Sequence, residues 1–309
     1  MSLLVVGSVA LDSVETPFGK REDALGGSAT YFSAAASLLT QVGVVGVVGD
    51  DFPLDQLQFL RDRKVRLDGL EKVSGKTFRW SGKYGFDLNA AETLDTQLNC
   101  FATFDPKLDA RAQAADRVFL GNIDPVLQLR VLEQVKRPKL VAADTMNYWI
   151  TSKREALLRL LPKIDVMLVN DGEARQLAGE SNVLKAANAI QKMGPGIVVI
   201  KRGEYGALLC TGGITFHSPA FPVTQVLDPT GAGDSFAGGF LGLLDRLDDR
   251  QLRTLKQAVV MGSTVASFTV EQFSVDRLRT LTVPEVMARF HSFKGLTHFE
   301  ELTELGAAS

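Results

Sequence analysis

Four short apolar runs, each followed closely by a polar residue, constrain the fold of this chain more than any other feature. Val118-Phe119-Leu120 leads to Asn122, and Leu140-Val141-Ala142-Ala143 leads to Asp144. Val166-Met167-Leu168-Val169 leads to Asn170, and Ile197-Val198-Val199-Ile200 leads to Lys201. The stretches between them, such as 126–135 and 153–161, carry helical spacing. Strands that alternate with helices imply a parallel sheet covered on both faces. In such sheets ligands bind beyond the carboxyl ends of the strands, so the four exit residues are candidate site residues. Polar residues at strand ends are also ordinary turn formers, and for any one of them that reading stands beside the first.

The same rhythm is visible earlier. Residues 3–7 read as a buried first strand, with Asp12 shortly after its end. Residues 13–25 are polar and turn-rich up to Gly26-Gly27. A helix is expected over 28–39 with Ser28 as its cap. A strand follows at 42–48 and a helix at 53–63. Region 72–103 breaks the pattern and reads as an inserted β element. There Phe78, Trp80, Tyr84 and Phe86 fall on even positions and Arg79, Ser81, Lys83 and Asp87 on odd ones. That alternation predicts one aromatic and one polar face. Helices close the chain at 251–269 and 283–293, and the tail 305–309 is expected to fray.

Composition excludes several classes of function. Thirty-four basic and thirty-six acidic residues give a net charge of −2, with no global field to gather nucleic acid. Cys100 and Cys210 supply no disulfide framework, and His217, His291 and His298 are too scattered for zinc. The longest apolar stretches are about half of what a membrane span requires. The chain reads as a soluble cytoplasmic protein with neither membrane nor nucleic acid as partner. Any site for a phosphorylated ligand must be assembled locally from amides and a few cations.

The stretch Leu227-Asp228-Pro229-Thr230-Gly231-Ala232-Gly233-Asp234-Ser235-Phe236 has that character. Phe236, Phe240, Leu243, Leu244 and Leu247 recur at helical spacing, so the small residues form a loop at a helix N-terminus. Backbone N–H groups there point at whatever sits above them, and Gly231 and Gly233 allow an anion to approach closely. Asp234 would be repelled by a phosphate and suits the group that attacks it. Other motifs fail. Gly75-Lys76-Thr77 follows Gly69 at the wrong spacing and precedes an aromatic strand pattern, so it is no P-loop. Gly43, Gly46 and Gly49 make no dinucleotide fingerprint, which disfavours an NAD-dependent oxidoreductase.

Over nearly its whole length the chain resembles the ribokinase-like carbohydrate kinases, also called the phosphofructokinase-B family. The 227–236 string, continued through Ala237-Gly238-Gly239-Phe240, is similar to that family's C-terminal signature. The resemblance implies a three-layer α/β/α domain with a mostly parallel sheet, spanning 1–309, with a small β-sheet lid from 13–25 and 72–103. It implies that Gly26-Gly27 pack backbone against a sugar and that Asp12 holds the sugar's hydroxyls. Asn170-Asp171-Gly172-Glu173 matches the Asn-x-x-Glu element tied to magnesium and phosphate. Lys201, Gly203 and Gly206 fall where the family lines the nucleotide. Asp228 and Thr230 match positions that hold a monovalent cation, such as K+, in several members. One departure is Tyr31, which stands where many members carry asparagine four residues after the second glycine.

The expected activity is an ATP- and Mg2+-dependent kinase acting on a hydroxyl of a small sugar-like substrate. Asp234 would be the general base, weak because its helix N-terminus favours the carboxylate. The amides of Gly231, Ala232 and Gly233 would form an anion hole. Glu173 would reach Mg2+ through water, and Asn122 and Asp144 would face the substrate. The alternatives are a nucleoside kinase of adenosine type and a silent sugar or nucleotide sensor, against which an intact Asp234 argues. The aromatic lid face needs a cover, which is the substrate, the body of the domain, or a second lid across a homodimer.

Overall fold

The computed structural model describes residues 2–300. Its strands in chain order are β1 (Leu3–Val6), β2 (Ala10–Thr16), β3 (Gly19–Gly26), β4 (Val42–Val48), β5 (Arg66–Lys72), β6 (Arg79–Tyr84) and β7 (Ala91–Gln97). They continue as β8 (Arg117–Leu120), β9 (Leu140–Asp144), β10 (Val166–Asn170), β11 (Ile197–Lys201), β12 (Ala207–Thr211) and β13 (Ile214–Ser218). The main sheet has the order β13-β12-β11-β10-β9-β8-β1-β4-β5, and a small lid sheet the order β3-β2-β6-β7. From β11 to β5 every neighbouring pair is parallel. β12 and β13 close one edge antiparallel.

A parallel sheet must be buried on both faces, which is why its strands are continuous apolar runs. Leu3 and Val5 face one core, Leu4 and Val6 the other. The first core is covered by the helices Ser28–Ala36, Ala232–Leu247 and Leu252–Thr269, the second by Pro125–Gln134, Arg154–Leu160 and Val183–Lys192. The chain is therefore a three-layer α/β/α fold carrying a four-stranded lid. Within the first core Phe32 stacks on Phe119 with ring centres 4.4 Å apart. Phe240 is fully buried, worth roughly 2–3 kcal/mol of apolar burial. Gly238 and Gly239 let three helices meet: a Cβ there would lie 2.5 Å from Phe32 O and 2.9 Å from Met261 O.

The four apolar runs are β8 to β11, with Asn170 and Lys201 side by side in register at the ends of β10 and β11. The polar stretch 13–25 is most of a hairpin, β2 and β3, in the lid sheet, as the resemblance implies. Several local expectations change. Ser28 does not cap its helix. Gly27 occupies the cap position with φ 93°, and Ser28 Oγ instead accepts the Ser8 N–H at 3.1 Å. Region 53–63 is a 3-10 turn, Leu54–Leu57, followed by a short helix, Gln58–Asp62. β5 and the β12–β13 hairpin lie where no strand was expected. The hairpin turns at Gly212-Gly213, both with positive φ, as a two-residue connection requires.

The lid splits its aromatic residues. Trp80 lies over Gly82, where a Cβ would come within 2.1 Å of the indole. Tyr84 points toward the 227–236 loop, and Phe78 leaves the lid face to pack on Phe101 at 5.6 Å. Phe86 lies beyond the end of β6 and is 86% exposed. The tail 305–309, expected to fray, lies outside the described residues. Among the described residues no helix is long and apolar enough to cross a membrane.

Candidate active site

The 227–236 loop is folded around Asp228. This carboxylate, 1% exposed, accepts the Thr230 N–H at 2.9 Å and the Ser274 N–H at 3.0 Å. Both oxygens thus hold backbone, as a turn-capping aspartate does. Gly231 is the N-cap of the helix Ala232–Leu247, with φ 74°. A Cβ on Gly231 would strike the Tyr31 ring at 2.3 Å, so Gly231 is required both for its left-handed backbone and for its space. Ala232 N donates to Pro229 O at 3.2 Å. The expected cradle of Gly231, Ala232 and Gly233 is corrected accordingly, because the turn itself uses the Ala232 amide. Among the described residues the N–H groups of Gly231, Gly233 and Asp234 have no protein acceptor. These three are the orphan donors of the helix start.

Against that helix start sit the strand exits. Lys201 Nζ lies 2.7 Å from Asp144 Oδ2, and a Cβ on Gly233 would come within 3.0 Å of the same ammonium. Glu173 Oε2 accepts the Asn170 N–H at 2.7 Å, while Asn170 Oδ1 accepts the Glu173 N–H at 2.7 Å. This capping box fixes Glu173 at the mouth of β10. Asp144, Glu173 and Asp234 surround one ammonium, and the charges do not balance. Burial, then Asp144, pushes the Glu173 carboxyl up to about 7, with Lys201 opposing. Burial and Asp144 likewise push Asp234 up to about 7. Burial works against the Lys201 ammonium, but Asp144, Glu173 and Asp234 outweigh it and hold the group above its ordinary range. Among the described residues no three or more acidic, His or Cys side chains form a metal-binding group. The uncompensated carboxylates nonetheless fit a divalent cation that keeps its waters.

Opposite the strand exits lies a second acidic face. Asp12, 6% exposed, accepts the Gly27 N–H at 3.3 Å. A Cβ on Gly26 would fall 1.9 Å from Asp12 Oδ2, and one on Gly27 2.4 Å from Ser8 O. The glycine pair is therefore dictated by the approach of Asp12 and the β1–β2 link. Burial pushes Asp12 up to about 7, opposed by Gly27 and reinforced by Asp228 and Asp234. Tyr31, 2% exposed, has its phenol raised by burial and by Asp228 and Asp12. Thr230 Oγ1 donates to the Tyr84 hydroxyl at 3.3 Å, joining the lid to the loop. Asn122 is not joined to this group by any hydrogen bond. Its Oδ1 accepts from Trp149 Nε1 at 3.0 Å.

A cavity of about 640 Å³ opens beside Gly233 and Lys201. That volume suits a small-molecule site. Gly203 and Gly206 line it, and the lid tip 86–89 lies along its rim. Asn89 Nδ2 donates to Glu204 Oε1 across that rim at 3.3 Å. The apolar wall is made by Phe221, Val223, Val226, Ala266 and Val270. Sequence reasoning missed this wall. The segment 219–226 has no periodicity to mark it, and the small residues Ser263, Ala266 and Ser267 read simply as one face of a packed helix.

The family profile described as "pfkB family carbohydrate kinase" matches residues 5–280. A cytidine kinase of Thermococcus kodakarensis is 29% identical over 250 residues, 78% of this chain and 87% of that protein. The ribokinase structure from Thermotoga maritima superposes with a TM-score of 0.74 at 21% identity, covering 94% of this chain and 99% of that one. An Escherichia coli protein solved with ATP and Mg2+ gives a TM-score of 0.77 at 18% identity, covering 94% and 99%.

Proposed function

This chain belongs to the pfkB family of carbohydrate kinases, and from that premise we propose that it moves the γ-phosphoryl group of ATP to a hydroxyl of a small, uncharged sugar-like acceptor. The observation that carries this reading is the position of Asp234. It follows Gly233, whose orphan amide borders the cavity, and it faces an acidic group built on Asp12 and Asp228. The cavity takes the nucleotide, lined by Lys201, Gly203 and Gly206, with Asn170 at the neighbouring strand end. The acidic face takes the acceptor. Asp12 orients hydroxyls, and Asp234 accepts the proton of the attacking one. The N–H groups of Gly231, Gly233 and Asp234 meet the charge that grows on the transferred phosphoryl. Lys201, held by Asp144, supplies a fixed positive charge beside them. Glu173 would hold Mg2+ through water, and the ion would supply positive charge against the phosphates. Asp234 near 7 suits a general base at neutral pH, and a loose transition state lets the proton leave late.

An acceptor bearing its own phosphate or carboxylate would add negative charge beside Asp12, Asp228 and Asp234. An uncharged polyol or nucleoside fits that field better. The nucleoside reading is favoured by two observations: the likeness to a cytidine kinase, and the lid rings Trp80 and Tyr84, which offer stacking surface. The buried Asp228 carboxylate beside Thr230 supports a K+ site there. The test is ADP release with ATP and Mg2+ over ribose, other neutral sugars, nucleosides, and their phosphorylated and acidic counterparts. Each is run with K+ and with a bulky organic cation. The expected outcome is turnover of a neutral compound, faster in K+. Preference for a sugar phosphate or sugar acid would contradict the acceptor assignment, and no turnover of any compound would contradict the kinase reading.

A further inference from the structure

The segment 219–226 walls the cavity without belonging to any strand or helix, and Pro219 and Pro222 bring it no N–H donors. Something must fix Phe221, its largest ring. The Arg289 guanidinium lies 4.7 Å from the centre of Phe221 and 3.4 Å from the centre of Phe268. Phe293 also packs on Phe221, with ring centres 5.6 Å apart. In its own plane Arg289 donates to Ser267 Oγ at 3.0 Å and to Glu271 Oε1 at 2.7 Å. Glu271 is held in turn by Arg277 at 3.2 Å. Phe221 and Ser267 both line the cavity, so one side chain joins its loop wall to its helix wall.

We propose that Arg289 is a positioning residue for the nucleotide. It acts from the helix Val283–Thr297, which lies beyond the family match ending at residue 280. The side chain is 17% exposed, so its charge is weakly screened and its pairing with Glu271 is persistent. Only arginine combines a flat face for two rings with donors at its edge, and lysine can keep the ion pair but not the faces. The inference rests on the reading of the cavity as the nucleotide site.

The test compares wild type, Arg289→Ala and Arg289→Lys in two measurements. One is calorimetric titration of ATP with Mg2+; the other is steady-state kinetics with whichever neutral acceptor the wild type phosphorylates. Arg289→Ala should weaken ATP binding and raise the KM for ATP by about tenfold, one decade of affinity. Turnover at saturating ATP should stay within about threefold of wild type. Arg289→Lys should fall between the two. A merely structural role would reduce the active fraction, lowering kcat and leaving the KM for ATP unchanged. That outcome, or ATP affinity within twofold of wild type, would overturn the proposal. If Arg289→Ala does not fold, Arg289→Lys carries the same comparison. A wild-type protein that binds no ATP would overturn the reading of the cavity and this inference with it. ATP binding by wild type with no change in the variants would overturn this inference alone.

Discussion

Asp234 is where two electrostatic effects compete, and magnitudes decide between them. A helix N-terminus favours a carboxylate by roughly 0.3–1 kcal/mol, less than one pKa unit. Burial raises a carboxyl by up to several units, and here Asp144 adds like charge. The expectation of a weak, well-ionised base therefore gives way to a group near 7. The sign for activity follows directly. The proton acceptor must be ionised, so lowering the pH through 7 removes the active form. We predict that kcat/KM falls about tenfold per pH unit below an apparent pKa near 7. A profile that stays flat to pH 5 would contradict it. At this scale the small-residue loop singled out Asp234, and the family resemblance singled out Asp12 and the glycine pair, of which Gly26 lies against the Asp12 carboxylate and Gly27 against Ser8 O. The sequence did not show that the Ala232 amide is spent on the turn, since that depends on the geometry of Pro229. Nor did it show that Asn122 turns toward Trp149.

Among elements, β8 to β11 were legible because strands buried on both faces leave uninterrupted apolar runs. Of the strands that escaped notice, β5 and β13 are largely exposed or half-buried and lack that signal, while β12 is buried from Ala207 to Cys210 but follows β11 after only a short turn. The lid was legible as an aromatic alternation, yet only Trp80 and Tyr84 keep to its face. Phe78 sits before the strand and is captured by Phe101, and Phe86 follows its end. Tyr84 joins lid to loop through the Thr230 hydroxyl. One such hydrogen bond is worth about 1 kcal/mol, or roughly fivefold in affinity. Tyr84→Phe should therefore raise the KM for the acceptor three- to tenfold and leave the KM for ATP within twofold. Initial rates with each substrate varied in turn decide this. Equal rises in both constants would show that the lid strand does not belong to the acceptor side.

The proposed labour divides across the ends of one parallel sheet. The cavity and β10–β11 exits lie to one side of the helix start, and Asp12, Tyr31 and the lid residue Tyr84 to the other, while the lid tip 86–89 reaches the cavity. The order of motifs along the chain announced both sides. The cavity's apolar wall was not announced, because a loop at 219–226 and a late helix at Val283–Thr297 meet only in three dimensions. Asp234 stands where the two sides join, so its replacement separates chemistry from binding. In Asp234→Asn the side chain keeps its size, loses its proton affinity and remains an acceptable residue at a helix start. The decisive measurement is turnover of this variant on a neutral acceptor, taken together with its calorimetric affinity for ATP. We expect turnover to fall by about 10²–10⁴, roughly 3–5 kcal/mol of barrier, with ATP affinity near that of wild type. Retention of more than about a tenth of wild-type turnover, short of the loss a general base implies, would contradict the account.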